Sequence, residues 1–394
     1  MFYKFLNSII KYGKIRIIEQ DGKSSVIGSK EPYCSIKLHK NNLKRKIFIN
    51  PELYIGEAFV NGDLTIEEGT LENFMDIITY NASNISNNFF HRLKSLIITK
   101  IRIFHQLNFI KKSISNVAHH YDINEEVYKL FLDKDMQYSC AYFHNDNISL
   151  EQAQIDKKKH IINKLNIKKK NMEILDIGSG WGGLSIDIAK KTNSNVTGIS
   201  LSKNQIAYSN KRAKELKINN LVDFKFADYR DMEGKYDRIV SVGMFEHVGV
   251  LQYKSFFKKI KKLLKDDGIM LLHSIGHKGI PEHTNAWIRK YIFPGGYIPA
   301  LSEVIESAEK EGLWINDVEI LRLHYAKTLR HWRRNFNSNR KKITSLLDEK
   351  FYRMWEFYLL ASEYSFRNMG NMVFQLQISK NQQSIPLTRN YLYT

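Results

Sequence analysis

The sequence predicts an α/β fold, a doubly wound parallel sheet preceded by a smaller α/β domain. Three observations carry that expectation. An apolar run from Glu173 ends at Asp176, enters a turn containing Gly178, Gly180, Gly182 and Gly183, and passes into a periodic stretch from Leu184 to Lys190. Strand-like and helix-like patterns then alternate regularly as far as Ser274, as successive βαβ units require. The N-terminal stretch instead carries shorter alternating segments, divided by Asp21-Gly22, Gly28 and Asn61-Gly62.

Taken in order, residues 1–88 form the small domain, with strands expected at Lys14–Ile18, Cys34–Leu38 and Lys46–Ile49. Asn81 to Asn88, rich in Asn and Ser, reads as a linker. Residues 89–115 follow as a basic amphipathic connecting segment, in which Phe89, Phe90, Leu93, Leu96, Ile97, Ile101, Phe104 and Leu107 are interleaved with Arg92, Lys94, Lys100, Arg102, Lys111 and Lys112. Such a helix either lies in a membrane interface or docks its apolar side on its own domain. Residues 116–394 make the large domain. Its strands are expected near Glu173–Ile177, Asn195–Ile199, Val222–Phe226, Arg238–Val242 and Ile269–Ser274, with helices at Leu184–Lys191, Lys203–Lys217 and Tyr253–Leu264. The aromatic, glycine-rich stretch His277 to Pro299 is long for a loop and follows a strand end, where lids and channel walls are built. A helix at Ser302–Lys310, a strand near Trp314–Leu321, two further helices and a last strand at Met372–Ile378 complete it.

At 394 residues the chain is long enough for one large and one smaller core. A hydrophobic fraction of 43% and only six prolines exclude a disordered chain. The net charge of +19 calls for an anionic partner, nucleic acid or an anionic membrane surface, unless the lysines merely cover solvated faces. Cys34 and Cys140 stand far apart in no metal-ligand spacing, which argues against a metal site or a disulfide scaffold and for a reducing compartment. Met1 to Ile10 does not read as a signal peptide, and no apolar run reaches the ~18 residues of a membrane span. The expectation is a cytoplasmic protein that touches a membrane peripherally.

The glycine-rich turn lets backbone approach a ligand where a Cβ would collide, and the following helix points free N–H groups at the same spot. Such turns hold adenosine-containing cofactors. Gly178, Gly180 and Gly183 also satisfy the dinucleotide spacing, so spacing alone does not choose the cofactor. The whole string Asp176 to Gly182 fits the Asp-x-Gly-x-Gly-x-Gly turn of S-adenosylmethionine enzymes. The end of the second strand, Gly198 to Ser202, offers no carboxylate for ribose hydroxyls, which counts against either cofactor. Asp228-Tyr229, after the third strand, pairs an acceptor with a flat ring and suits an adenine; a capping Asp beside a surface Tyr is the plainer reading.

Beyond the turn, several strings are specific: Asn116-Val-Ala-His-His-Tyr-Asp122, Met136-Gln-Tyr-Ser-Cys-Ala-Tyr-Phe143, Ser200-Leu-Ser-Lys-Asn-Gln205, Gly243-Met-Phe-Glu-His-Val-Gly249, His273-Ser-Ile-Gly276 and Lys290-Tyr-Ile-Phe-Pro-Gly-Gly296. In these the chain resembles the cyclopropane-fatty-acyl-phospholipid synthases and mycolic acid cyclopropane synthases from about residue 115 to 370, and more loosely at Gly56 to Gly62. The resemblance implies a class I S-adenosylmethionine-dependent methyltransferase sheet. It implies cofactor contacts at Tyr138, Ser139, Asp176, Gly178, Ser179, Gly180, Trp181, Gly182, Gly183, Ser200, Gln205, Asp228 and Tyr229. It further implies a bicarbonate ion held by Cys140, Glu246, His273, the backbone of Ile275, and Tyr325. Many members have Cys where this chain has Ser179, and a C-terminal cysteine of some members falls at Ser362, so no thiol there is obligatory.

The implied reaction explains these residue types. An isolated cis double bond is a poor nucleophile and needs the strongly electrophilic methyl of a sulfonium. Ring closure then needs a base within ~3 Å of the transferred carbon, in a site that excludes water. Glu246 and His273, at the ends of adjacent strands, can converge over the cofactor, Glu246 accepting the bicarbonate proton while His273 and Tyr325 donate to its oxygens. Cys140 serves as weak donor or packing wall, since no acidifying neighbour stands beside it. Tyr138, Tyr142, Phe143 and Phe245 offer rings for cation–π stabilisation, about 1–2 kcal/mol each when desolvated, against the alternative of plain core packing. The expected reaction is methylene transfer to the cis double bonds of acyl chains in anionic membrane phospholipids, by an enzyme at the inner membrane face and of a type often dimeric. The alternatives are methylation giving a branched chain, and a catalytically silent lipid-binding homologue. Nucleic-acid methylation, which charge alone would favour, lacks both an Asn/Asp-Pro-Pro-aromatic and a Pro-Cys motif.

Overall fold

The computed structural model describes residues 2–86 and 125–393. The expected amphipathic segment at 89–115 and the Asn116–Asp122 string lie outside them. In chain order the elements begin α1 (Phe2–Ile9), β1 (Lys14–Ile18), β2 (Ser24–Gly28), β3 (Tyr33–Leu38), α2 (Leu43–Ile49), α3 (Pro51–Val60), β4 (Leu64–Glu68), α4 (Leu71–Tyr80) and α5 (Ala82–Ser86). Next come α6 (Glu125–Phe131), α7 (Leu150–Leu165), β5 (Glu173–Ile177), α8 (Gly183–Thr192), β6 (Asn195–Ser200), α9 (Lys203–Glu215), β7 (Val222–Phe226) and β8 (Tyr236–Val242). The rest are α10 (Tyr253–Leu263), β9 (Leu264–His277), α11 (Ala286–Tyr291), α12 (Leu301–Glu309), β10 (Trp314–Ile320), α13 (His324–Ser338), α14 (Arg340–Leu346), α15 (Glu349–Asn368) and β11 (Asn371–Ser379). None of the described helices is long and apolar enough to cross a membrane.

Two compact units result, and their composition differs from the expected cut at residue 88. One gathers residues 2–86, 283–294 and 329–371; the other gathers 125–282, 295–328 and 372–393. The first holds a four-stranded sheet in the order β2-β1-β3-β4. Ile15 and Ile17 alternate inward along β1, the period-2 pattern that marks a half-buried strand. Lys46–Ile49 is not a strand. It ends helix α2, because Leu43 and Ile47, one turn apart, are the residues that find a core. The expected linker begins with helix α5, Ala82–Ser86. Asn81, only 2% exposed, accepts the N–H groups of Lys11 and Tyr12 and donates to the carbonyls of Tyr12 and Ile77.

The supposed loop from His277 to Pro299 contains α11, capped by the Asn285 side chain accepting from Trp287 and Ile288 N–H. Trp287 is buried on α3, where a Cβ on Gly56 would sit 2.6 Å from the indole. Tyr291 and Lys290 both donate to Glu57 Oε1, at 2.8 and 2.7 Å. Helix α15 packs on α3 and α4, and Arg353 donates to the Phe59 carbonyl while lying over its ring at 4.7 Å. Three helices, not two, stand between β10 and β11.

The second unit is the doubly wound sheet, ordered β10-β11-β9-β8-β5-β6-β7, with β5 to β9 mutually parallel and β10 antiparallel to β11. Adjacent residues on its central strands serve opposite faces. Leu175, Ile239 and Met270 join α10 and α12 in one core, while Ile174, Val240 and Leu271 join α7, α8 and α9 in the other. Burial on both faces is why these strands are almost wholly apolar. The carboxyl ends of β5, β6 and β8 therefore come together at the point where the chain reverses its direction of winding.

Gly56→Ala forces the new methyl into Trp287; about 1–3 kcal/mol of stability should be lost, read from the urea midpoint followed by tryptophan fluorescence. An unchanged midpoint would show that α11 yields freely.

Candidate active site

A cavity opens over the carboxyl ends of β5, β6 and β8. Its wall includes Tyr138, Ser139, Asp176, the turn Gly178–Trp181, Ser200, Gln205, Asp228 and Tyr229. Of the expected cofactor contacts only Gly182 and Gly183 are not on it, and both have structural work. Gly182 takes φ +81° against Phe224 and Ser209, and a Cβ on Gly183 would lie 2.3 Å from Asp135 Oδ2. Gly178 and Ser179 donate their N–H groups to the Ile199 carbonyl, which folds the turn onto β6. A Cβ on Gly180, at φ +53°, would meet no protein atom within 4 Å. That cradle fits an adenosine-bearing ligand.

Each wall segment is set by its neighbours. Asp176 accepts from Ser185 Oγ at 2.6 Å, and burial pushes its carboxyl up to about 6, with Ser185 and Lys157 pulling the other way. Where sequence offered no acid after the second strand, Ser200 donates to Gln205 Oε1 at 2.9 Å, which leaves the Gln205 amide N–H₂ as the polar group there. Asp228 is gripped by Arg230 through Nε and Nη2, at 2.8 and 2.7 Å. Tyr229 lies edge-on to Phe256 at 5.1 Å, and burial drives its hydroxyl to about 12, so its ring belongs as much to the core as to the cavity. Sequence reasoning missed Met136, Gln137, Met244 and His247 on this wall. His247 stood inside the quoted Gly243–Gly249 string and carried its own signal; burial holds its imidazole down to about 4.

Of the four expected cation–π rings, only Tyr138 lines the cavity. Phe245 is fully buried and stacks on Tyr253 at 4.4 Å, in the core beneath the sheet. Tyr142 is sandwiched between His160 and His324, at 4.4 and 5.0 Å. Phe143 donates its N–H to His324 Nδ1 at 2.9 Å. Phe245 and Tyr142 are thus packed within the protein, and the Phe143 ring lies under Lys327 Nζ at 5.7 Å.

None of Cys140, Glu246, His273, Ile275 and Tyr325 lines that cavity, although Cys140 follows the wall residue Ser139 and Glu246 precedes His247. The structure bonds one pair of them directly and holds the others through neighbours. Glu246, in a 3-10 turn just past β8, accepts the Ile275 N–H at 2.6 Å. His273 faces Val242 across the β8–β9 register, and its Nδ1 meets Gln375 Nε2 at 3.1 Å, which leaves the ring proton on Nε2 as the amide is oriented. Ala141, next to Cys140, donates to Thr328 Oγ1 at 3.0 Å, three residues along α13 from Tyr325. Burial moves every titrating group here toward its neutral form: Glu246 up to about 7, His273 down to about 3, the Cys140 thiol upward. A thiol so shifted is no nucleophile. Glu246 Oε2 is buried with no hydrogen-bond partner, and in the neutral carboxyl it carries a proton that a small anion would accept. The residues present thus fit a small oxyanion.

The family model described as mycolic acid cyclopropane synthetase matches residues 109–376. The chain belongs to that family. It is 38% identical over 70% of its length to a protein of Pseudomonas putida named "Probable fatty acid methyltransferase", covering 73% of it. It is 33% identical to the cyclopropane-fatty-acyl-phospholipid synthase of Escherichia coli K12, over 89% of each chain. Among solved structures, mycolic acid cyclopropane synthase CmaA1 complexed with SAH and CTAB superposes with a TM-score of 0.64 at 34% identity, covering 67% of this chain and 97% of that one. Membership of the cyclopropane synthetase family makes the protein an S-adenosylmethionine-dependent transferase with the class I methyltransferase fold.

Because the folded Glu246 carboxyl titrates near 7 against 4.5 when exposed, its stability contribution is complete below 4.5 and lost as pH rises through 7. Glu246→Gln, which never ionises, should therefore gain on the wild type by about 3 kcal/mol between pH 4.5 and pH 8, read from paired thermal melts. A pH-independent difference would show Glu246 to be solvated.

Proposed function

We propose that this enzyme transfers a methylene group from S-adenosylmethionine to the cis double bond of unsaturated acyl chains in membrane phospholipids, closing a cyclopropane ring. One observation carries the reading: a neutral, water-excluded pair, Glu246 bound to the Ile275 N–H with its second oxygen unpartnered, directly beside a cavity fitted for adenosine. When bound, S-adenosylmethionine supplies an electrophilic methyl group. Bicarbonate, held by Cys140, Glu246, His273, the Ile275 backbone and Tyr325, supplies the base that ring closure demands. The protein's own part is to keep that pocket dry and to offer neutral donors, since Nε2–H of His273 donates without bringing charge. Glu246, titrating near neutrality, can take up or release a proton at little cost. The +19 net charge brings the enzyme to anionic lipid on the inner membrane face rather than to nucleic acid. The second reading, methylation giving a branched chain, is favoured by the name of the Pseudomonas putida relative.

Labelled S-adenosylmethionine, vesicles of unsaturated or saturated phospholipid, and nucleic acid as control acceptor separate these readings. Label should enter only unsaturated lipid, with a gain of one CH₂ and loss of the double bond; a surviving double bond supports the branched product, and labelled nucleic acid sinks both. Glu246→Ala should lower the rate by about 100-fold or more at saturating cofactor. Transfer at the wild-type rate by that variant would remove the base from this pocket.

A further inference from the structure

Helix α7 has an inverted pattern. Ile155 is 45% exposed, whereas Gln154 and Lys157 are 0% and 1% exposed, on the same face three residues apart. Both reach the cavity wall from behind. Gln154 Nε2 donates to the Ser139 carbonyl at 3.0 Å. Lys157 Nζ donates to Gln137 Oε1 at 2.7 Å and to Ser139 Oγ at 2.8 Å. An ammonium carries three protons, and no described residue takes the third.

Lys157 also makes no ion pair among the described residues. The carboxylates near it are already committed: Asp133 accepts the N–H groups of Asp135 and Gln137, and Asp135 accepts from Lys158, Arg212 and Gln137. The direct acceptors of this buried ammonium are both neutral, and Asp133 and Asp135 offset its desolvation only through space, so a further anion nearby would be favourable. Its geometry also fixes the polarity of Ser139. With Oγ accepting from Nζ, the hydroxyl proton must be given elsewhere, and Ser139 lines the cavity. Arg230 is the cation on that wall, and its guanidinium is clamped on Asp228. The end of the cavity near Ser139 is therefore built to receive a carboxylate.

We propose that Lys157 is a positioning residue for the methionyl carboxylate of S-adenosylmethionine, acting through the Ser139 hydroxyl; this rests on reading the cavity as the cofactor site. Lys157 aligns the hydroxyl as a donor and places a positive charge behind it, while Gln154 holds the backbone of the same residue. Desolvation lowers the ammonium to about 8, opposed by Asp133, so the group stays largely charged at neutral pH.

The test is calorimetric titration of the whole enzyme with two ligands. S-adenosylhomocysteine carries the amino-acid carboxylate, and methylthioadenosine keeps nucleoside and thioether but lacks it. Lys157→Met should weaken S-adenosylhomocysteine about tenfold or more and leave methylthioadenosine within about twofold. Ser139→Ala should give the same split, and the double variant should bind no more weakly than the worse single variant. Equal loss for both ligands in Lys157→Met would make the lysine merely structural and overturn the proposal. Should that variant not fold, Ser139→Ala decides, and wild-type affinity for S-adenosylhomocysteine there overturns it. Failure of the wild type to bind either ligand would instead overturn the reading of the cavity.

Discussion

The site depends on one constraint: polar groups packed behind a dry cavity must satisfy one another, because water cannot. Between residues 133 and 139 the chain does this by passing hydrogen bonds from one side chain to the next. Asp135 is held by Lys158 and Arg212, Gln137 gives its amide N–H to Asp135 and its oxygen to Lys157, and Lys157 passes on to Ser139. This relay fits only because Gly183, at the start of α8, leaves room for Asp135 and Gln137. The glycine-rich turn and the Gln-Tyr-Ser-Cys string, some forty residues apart in sequence, are therefore a single construction.

The same reasoning explains why burial biases Glu246, His273 and Cys140 toward their neutral forms, Glu246 only as far as about 7. A carboxylate, an imidazolium or a thiolate left alone in such a place would cost several kcal/mol. Burial instead holds Glu246, His273 and Cys140 in forms that donate hydrogen bonds without attracting counter-ions or water. That is compatible with a reaction through carbocationic character, where a stray water would add to the cation.

What could be read in sequence follows from how local the cause is. The interior strands of the sheet were legible because burial on both faces keeps them largely apolar, the edge strand β7 because Val222 and Phe224 alternate inward, and Asp176 to Gly183 because the turn demands glycine. The small unit was harder. Lys46–Ile49 alternates like a strand, yet is settled by what Leu43 and Ile47 can reach. The burial of Gln154 and Lys157 is decided by Gln137 and Ser139, which no periodicity encodes. Cys140, Glu246, His273 and Tyr325 were named through resemblance, and the described contact among the expected residues is that of Glu246 with the Ile275 N–H.

The first unit takes its parts from three stretches of chain, 2–86, 283–294 and 329–371. A nascent chain emerging from the ribosome therefore carries α3 and α4 without the helices that cover them until α11 and α15 have been made. Gly56 waits for Trp287, and Glu72 for Arg333. During synthesis the larger sheet can collect most of its strands first, while the amino-terminal segment stays an exposed, chaperone-accessible apolar surface.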